Sequence, residues 1–152
     1  GSVADCALTV ERVARTCPTT AVVLASHLCS GLAVEACGDE DQRGNVATGV
    51  WLTTLAAWEE GRVGRAPRSR VLNGWNVEVS GQKQGVVGAE HAVCYVWLGR
   101  DEDGGIQWAL LPASAGGIEV NERESHDLDI DFDCSNLSFS RIVALRVSAS
   151  NY

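Results

Sequence analysis

Two apolar runs, Ala92 to Leu98 and Ile106 to Leu111, flank the tip Asp101-Glu102-Asp103-Gly104-Gly105. This pairing constrains the fold more than any other stretch. Residues that tolerate positive φ crowd the tip, so the chain reverses there and the runs pair as a β-hairpin. Folding about Asp103 sets Gly99 opposite Gln107. On the first strand Val93, Tyr95 and Trp97 alternate with Ala92, Cys94, Val96 and Leu98, so both faces are apolar and Cys94 belongs inside the sheet. His91 stands at the open end of this hairpin.

The remainder of the second half is punctuated in the same way. Trp75–Val79, Gly117–Asn121, Asp127–Phe132 and Ser138–Ser148 read as further strands. The first half has helical spacing instead. Cys6, Val10, Val13 and Cys17 lie on one face of a helix beginning near Asp5, which Pro18 ends. Proline also suits the first position of a second helix, running through Leu28 and stopping at Ser30-Gly31. A third helix is expected over about Asn45 to Glu60, with Ala47, Trp51, Leu55 and Trp58 on one side and Gly61 beyond its end. Gly61 to Ser69 reads as a loop. Helices first and strands after predict an α+β class, N-terminal helices followed by an antiparallel β-sheet. Residues 1–152 form a single domain, with a helical part at about 3–60 and a β-part at about 71–150.

A chain of 152 residues with 45% hydrophobic composition buries a core without crosslinks. Its longest apolar stretch, Ala21 to Leu28, is broken by Ser26 and His27 and falls short of the ~20 residues of a membrane span. A net charge of −8 argues against nucleic-acid backbones and anionic membrane surfaces as partners. Arg62, Arg65, Arg68 and Arg70 form a short basic run, expected in a solvated loop. The chain has no methionine and opens with Gly1-Ser2, which reads as a remnant of cloning. Lys83 is the sole lysine, from a GC-rich genome or from selection against ubiquitination. The second cause favours a chain that is secreted or delivered into a host cell. Oligomeric state is not specified by the sequence.

The six cysteines, Cys6, Cys17, Cys29, Cys37, Cys94 and Cys134, read as three disulfides of a secreted domain or as buried thiols. No CxxC pair offers zinc-site spacing, so no metal is expected. Cys17 has a further feature. It precedes Pro18 at the start of a helix, where the dipole favours thiolate, the active form of a cysteine nucleophile. His91 is a plausible imidazole partner from the other half of the chain.

Cys17-Pro18-Thr19-Thr20-Ala21 followed by Val22-Val23-Leu24, then His91-Ala92-Val93 and Trp108-Ala109-Leu110 across the hairpin, resembles the papain-like cysteine peptidases in their compact bacterial, viral and effector-type forms. The resemblance implies a papain-like fold and a thiol hydrolase of peptide or amide bonds, a protease or glutamine deamidase, without a cofactor. Cys17 would be the nucleophile and His91 the general base and acid, with a protein or peptide as substrate. The family's histidine-orienting Asn or Asp is missing opposite His91, where Ser114 is the nearest polar residue. Its oxyanion glutamine is replaced by Glu11. The alternative is a non-enzymatic, disulfide-stabilised secreted effector or binding domain that acts on a host protein. His27 and His126 are expected at the surface. Asp127, Asp129, Asp131 and Asp133 alternate onto one face of an exposed edge strand, without the spacing or glycine of a calcium loop.

Overall fold

The computed structural model describes residues 2–59, 70–73, 77–122 and 134–146. Three helices, α1 (Val3–Ala14), α2 (Pro18–Cys37) and α3 (Glu40–Ala47), precede seven strands. These are β1 (Thr53–Ala56), β2 (Arg70–Asn73), β3 (Val77–Val87), β4 (Cys94–Arg100), β5 (Ile106–Pro112), β6 (Ile118–Glu122) and β7 (Cys134–Arg146). The α+β class is as expected. The sheet, however, is mixed rather than antiparallel, because β1 and β2 both run parallel to β4.

Local signals set the helix ends. Ser2 and Asp5 form a capping box at α1, and Asp39 and Gln42 form another at α3, each satisfying two amides of the first turn. The box at Asp39 starts α3 well before Asn45, and Gly49, at φ 75°, ends the segment after Thr48. The expected helix over Asn45–Glu60 is therefore not formed, and its middle becomes strand β1. β-branched Thr53 and Thr54 suit a pleated surface better than a helix.

The second helix overruns its expected stop at Ser30-Gly31 and continues to Cys37. The Ser30 hydroxyl bonds back to the His27 carbonyl at 2.8 Å and reaches Thr53 Oγ1 at 2.6 Å, so it anchors the helix instead of ending it. Of the 20 residues of α2, only Ala21, Ser30 and Val34 are buried. By length and composition α2 is apolar enough to cross a bilayer, with a mean hydropathy of 1.5, a property hidden when the helix is ended early.

The hairpin forms as the tip residues dictate. Gly99 pairs with Gln107, Gly104 takes φ 84°, and Asp101 accepts from the Gly105 amide at 2.6 Å. β5 pairs with β7 as well as β4, so the sheet curls round on itself. The alternation along β4 then serves two cores. Tyr95 and Trp97 point into the curled sheet with Val79, Val86, Ala109 and Leu111. Cys94 and Val96 face the helices with Val34 and Leu110, beside Trp51, Leu55 and Trp108. Burial pushes the Cys94 thiol up to about 11.

Lys83 on β3 is fully buried. Its ammonium lies 2.7 Å from Glu59 and 4.7 Å from the centre of the Trp97 ring. This ion pair holds the segment after β1 onto the sheet, alongside a 2.9 Å bond from the Gln84 amide to the Trp58 carbonyl.

Candidate functional site

Polar chemistry concentrates where α2 lies along β1. Ser26, His27 and Ser30 make a polar stripe on an otherwise apolar helix, and each is spent on the strand. Ser26 Oγ lies 2.7 Å from Thr54 Oγ1 and accepts from the Leu55 amide at 3.1 Å. His27 Nδ1 lies 3.1 Å from the Thr53 carbonyl, 3.3 Å from its amide and 3.2 Å from its hydroxyl. Thr54 Oγ1 also donates to the Val87 carbonyl at 2.7 Å, tying the end of β3 into the same seam.

The turn that follows β3 is held as firmly. Gly88 adopts φ 64°, the left-handed region open to glycine. Tyr95 Oη, itself buried, donates to the Ala89 carbonyl at 2.7 Å. His91 closes the turn through its amide, which donates to the Gly88 carbonyl at 3.1 Å.

Two cavities border the seam. The larger, about 590 Å³, lies among the three helices and includes Cys6, Leu32, Glu35, Arg43 and Val46 in its lining. The smaller, about 260 Å³, lies between α2 and the β3–β4 turn and is lined in part by Thr19, Val23, His91 and Ala92. His27 lines both. It is not the surface residue expected from sequence. The signal available was its company: a histidine flanked by Ser26 and Ser30 on one stripe of an apolar helix.

The four residues singled out from sequence lie on four elements, α1, the start of α2, the β3–β4 turn and the turn after β5. Cys17 is the exposed N-cap of α2 and accepts a hydrogen bond from Thr20 Oγ1 at 3.1 Å. The Thr20 hydroxyl, then the Thr20 amide, lower its thiol pKa. No hydrogen bond joins Cys17 to His91, which is exposed on its turn. Ser114 is exposed in the turn after β5. Glu11 is committed to Arg15, 2.6 Å away on α1. Cys6, Cys17, Cys29, Cys37 and Cys94 are all free, so the disulfide expectation fails for them. Cys94 is buried between helix and sheet, far from a reactive state. Among the described residues no group of three or more His, Cys, Asp or Glu could hold a metal ion. His126, the acidic run Asp127 to Asp133 and the loop 61–69 lie outside the described residues.

No protein-family model matches this sequence, and no curated protein matches it. Solved structures do. One is FkbI, which serves biosynthesis of the methoxymalonyl extender unit of the polyketide Fk520. It superposes with a TM-score of 0.78 at 22% identity, over 91% of this chain and 40% of its own. The fold is acyl-CoA dehydrogenase-like. Butyryl-CoA dehydrogenase from Megasphaera elsdenii superposes with a TM-score of 0.76 at 16% identity, over 94% of this chain and 42% of its own. A glutaryl-CoA dehydrogenase from Mycobacterium smegmatis in complex with FADH2 gives a TM-score of 0.67 at 18% identity, over 86% and 40%. This chain thus spans about two fifths of the length of the structures it resembles.

These likenesses overturn the papain-like reading and, with it, the thiol hydrolase. The peptidase motifs were short segments, a cysteine before a helix and a histidine before a strand. An acyl-CoA dehydrogenase-like fold supplies both through ordinary helix and hairpin starts. The effector alternative is not supported either: the described cysteines that it would pair are free.

Flavin is the group that this fold brings into question. A flavin adenine dinucleotide carries two phosphates, which need cationic side chains or open helix N-termini. Here α1 and α3 cap their own first turns, while α2 has no side-chain cap and loses one first-turn amide at Pro18. The larger cavity has Arg43 and Glu35 both in its lining, and the smaller has no arginine or lysine. Lys83 is spent on Glu59. The described residues do not by themselves fit a dinucleotide.

Proposed function

We propose that this chain is the sheet-bearing portion of an oxidoreductase of the acyl-CoA dehydrogenase type, working on a thioester-linked acyl group. The supporting observation is the superposition on FkbI over 91% of this chain and only 40% of the other. The physical state of α2 agrees. A helix this apolar is covered by protein or by a bilayer, yet Val22 and Val23 are exposed on it. On this reading a further layer covers α2, and the cofactor site is closed by residues beyond those described. The chain's own contribution is a rigid wall. Ser26, His27 and Ser30 lock α2 to β1, and the Lys83–Glu59 pair locks the segment after β1 to β3.

The test is made on the natural protein, recovered from its host with antibodies raised against this chain. Bound flavin should be visible by absorbance and should bleach anaerobically on addition of an acyl-CoA. A protein without flavin, or a flavin that no acyl-CoA of any chain length reduces, would overturn the reading.

A further inference from the structure

The smaller cavity has a composition at odds with the rest of the molecule. The chain carries 20 acidic residues against 12 basic ones, yet no carboxylate lines this space. Two imidazoles do, His27 from α2 and His91 from the β3–β4 turn. They approach on separate elements that the seam holds in fixed relation, through Thr54 to the Val87 carbonyl and Tyr95 to the Ala89 carbonyl.

The hydrogen-bonding groups here divide into spent and unspent. Thr53 Oγ1 is shared between Ser30 and His27, and Thr54 Oγ1 between Ser26 and Val87. His27 Nδ1 is engaged by Thr53. That leaves His27 Nε2, the His91 ring and the Thr19 hydroxyl without a partner among the described residues. Around them Val23, Leu52, Val87 and Ala92 are apolar. A head group that accepts two hydrogen bonds, on a short hydrocarbon tail, satisfies both halves.

We propose that this cavity binds a short-chain carboxylate, its oxygens meeting His27 Nε2 and the His91 imidazole and its tail packing on Val23, Leu52, Val87 and Ala92. The volume, about 260 Å³, is below the ~300 Å³ at which drug-sized sites begin, so the ligand is small. Two imidazoles without a third ligand do not suit a metal. Among titratable neighbours, Glu90 beside His91 and Cys17 before Thr19 stay outside the lining. The site needs no flavin, so its test and that of the oxidoreductase proposal fail separately.

Pentanoate, ionised at about pH 6, is the probe, titrated into the 152-residue chain while histidine ring protons are followed by NMR. Saturable shifts of the His27 and His91 resonances, assigned by substitution, are expected, with pentanamide at least tenfold weaker. His91→Gln should weaken pentanoate about tenfold, the loss of one charge-assisted hydrogen bond. The exposed His91 is replaceable without unfolding, so this variant carries the test even if His27→Gln loosens the seam. No saturable shift up to about 100 mM, two decades above a weak ~1 mM site, would overturn the proposal. Equal binding of pentanamide, or full binding by folded His91→Gln, would do the same.

Discussion

Replacing Glu59 by Gln removes the partner of a buried ammonium, because the Lys83 side chain is wholly inaccessible and that of Glu59 is 8% exposed. Breaking one side of such a pair costs about 3–5 kcal/mol, since the remaining charge stays desolvated. For a domain of this size that is roughly 6–20 °C in Tm. The Trp97 ring 4.7 Å from the ammonium recovers part of the loss. Desolvation lowers the Lys83 pKa, while the Glu59 hydrogen bond and charge oppose that fall. Between the lowered folded value and the ordinary 10.5 the unfolded chain binds more protons, so stability rises with pH there. Without Glu59 the folded value falls further and the window widens. The deficit of Glu59→Gln should therefore shrink as pH rises from about 7 towards 10, the ordinary lysine range. Replacing both partners, as Lys83→Met with Glu59→Leu, should cost less than either single change. Urea unfolding followed by tryptophan fluorescence measures all three. A Glu59→Gln loss below about 1 kcal/mol, the value of an exposed pair, or a deficit that does not respond to pH, would refute the reasoning.

Other expectations concern the thiols and the seam. In the folded chain, iodoacetamide should modify exposed, pKa-lowered Cys17 before Cys94, whose thiol is held near 11; peptide mass mapping gives the order, and Cys94 reacting first would contradict the fold. Thr54→Val removes the donor to the Val87 carbonyl and should cost about 1–3 kcal/mol in a thermal melt. Gly38→Ala should destabilise although its φ of −77° is ordinary, because an added Cβ would stand 2.5 Å from the Val34 carbonyl oxygen. An unchanged melting temperature would mean that the end of α2 yields freely.

What the sequence determined by itself was local. The Asp101–Gly105 tip allowed one reversal, so the pairing of Gly99 with Gln107 was legible in advance. Pro18 marked the start of α2, and the apolar company of Cys94 marked its burial. These follow from φ preferences and from short-period patterns, which act over a few residues. The tertiary structure decided everything that depends on distant partners. Thr53-Thr54 became a strand because it lies parallel to β4 and receives Ser26, His27 and Ser30. His27 became a cavity residue for the same reason. Cys17 and His91 each have the local setting of a catalytic pair, and in the fold the Cys17 sulfur accepts from Thr20 Oγ1 while the His91 amide donates to the Gly88 carbonyl. A hydrogen bond between residues far apart in the chain leaves no periodicity behind, so it is fixed only when the helix meets the sheet.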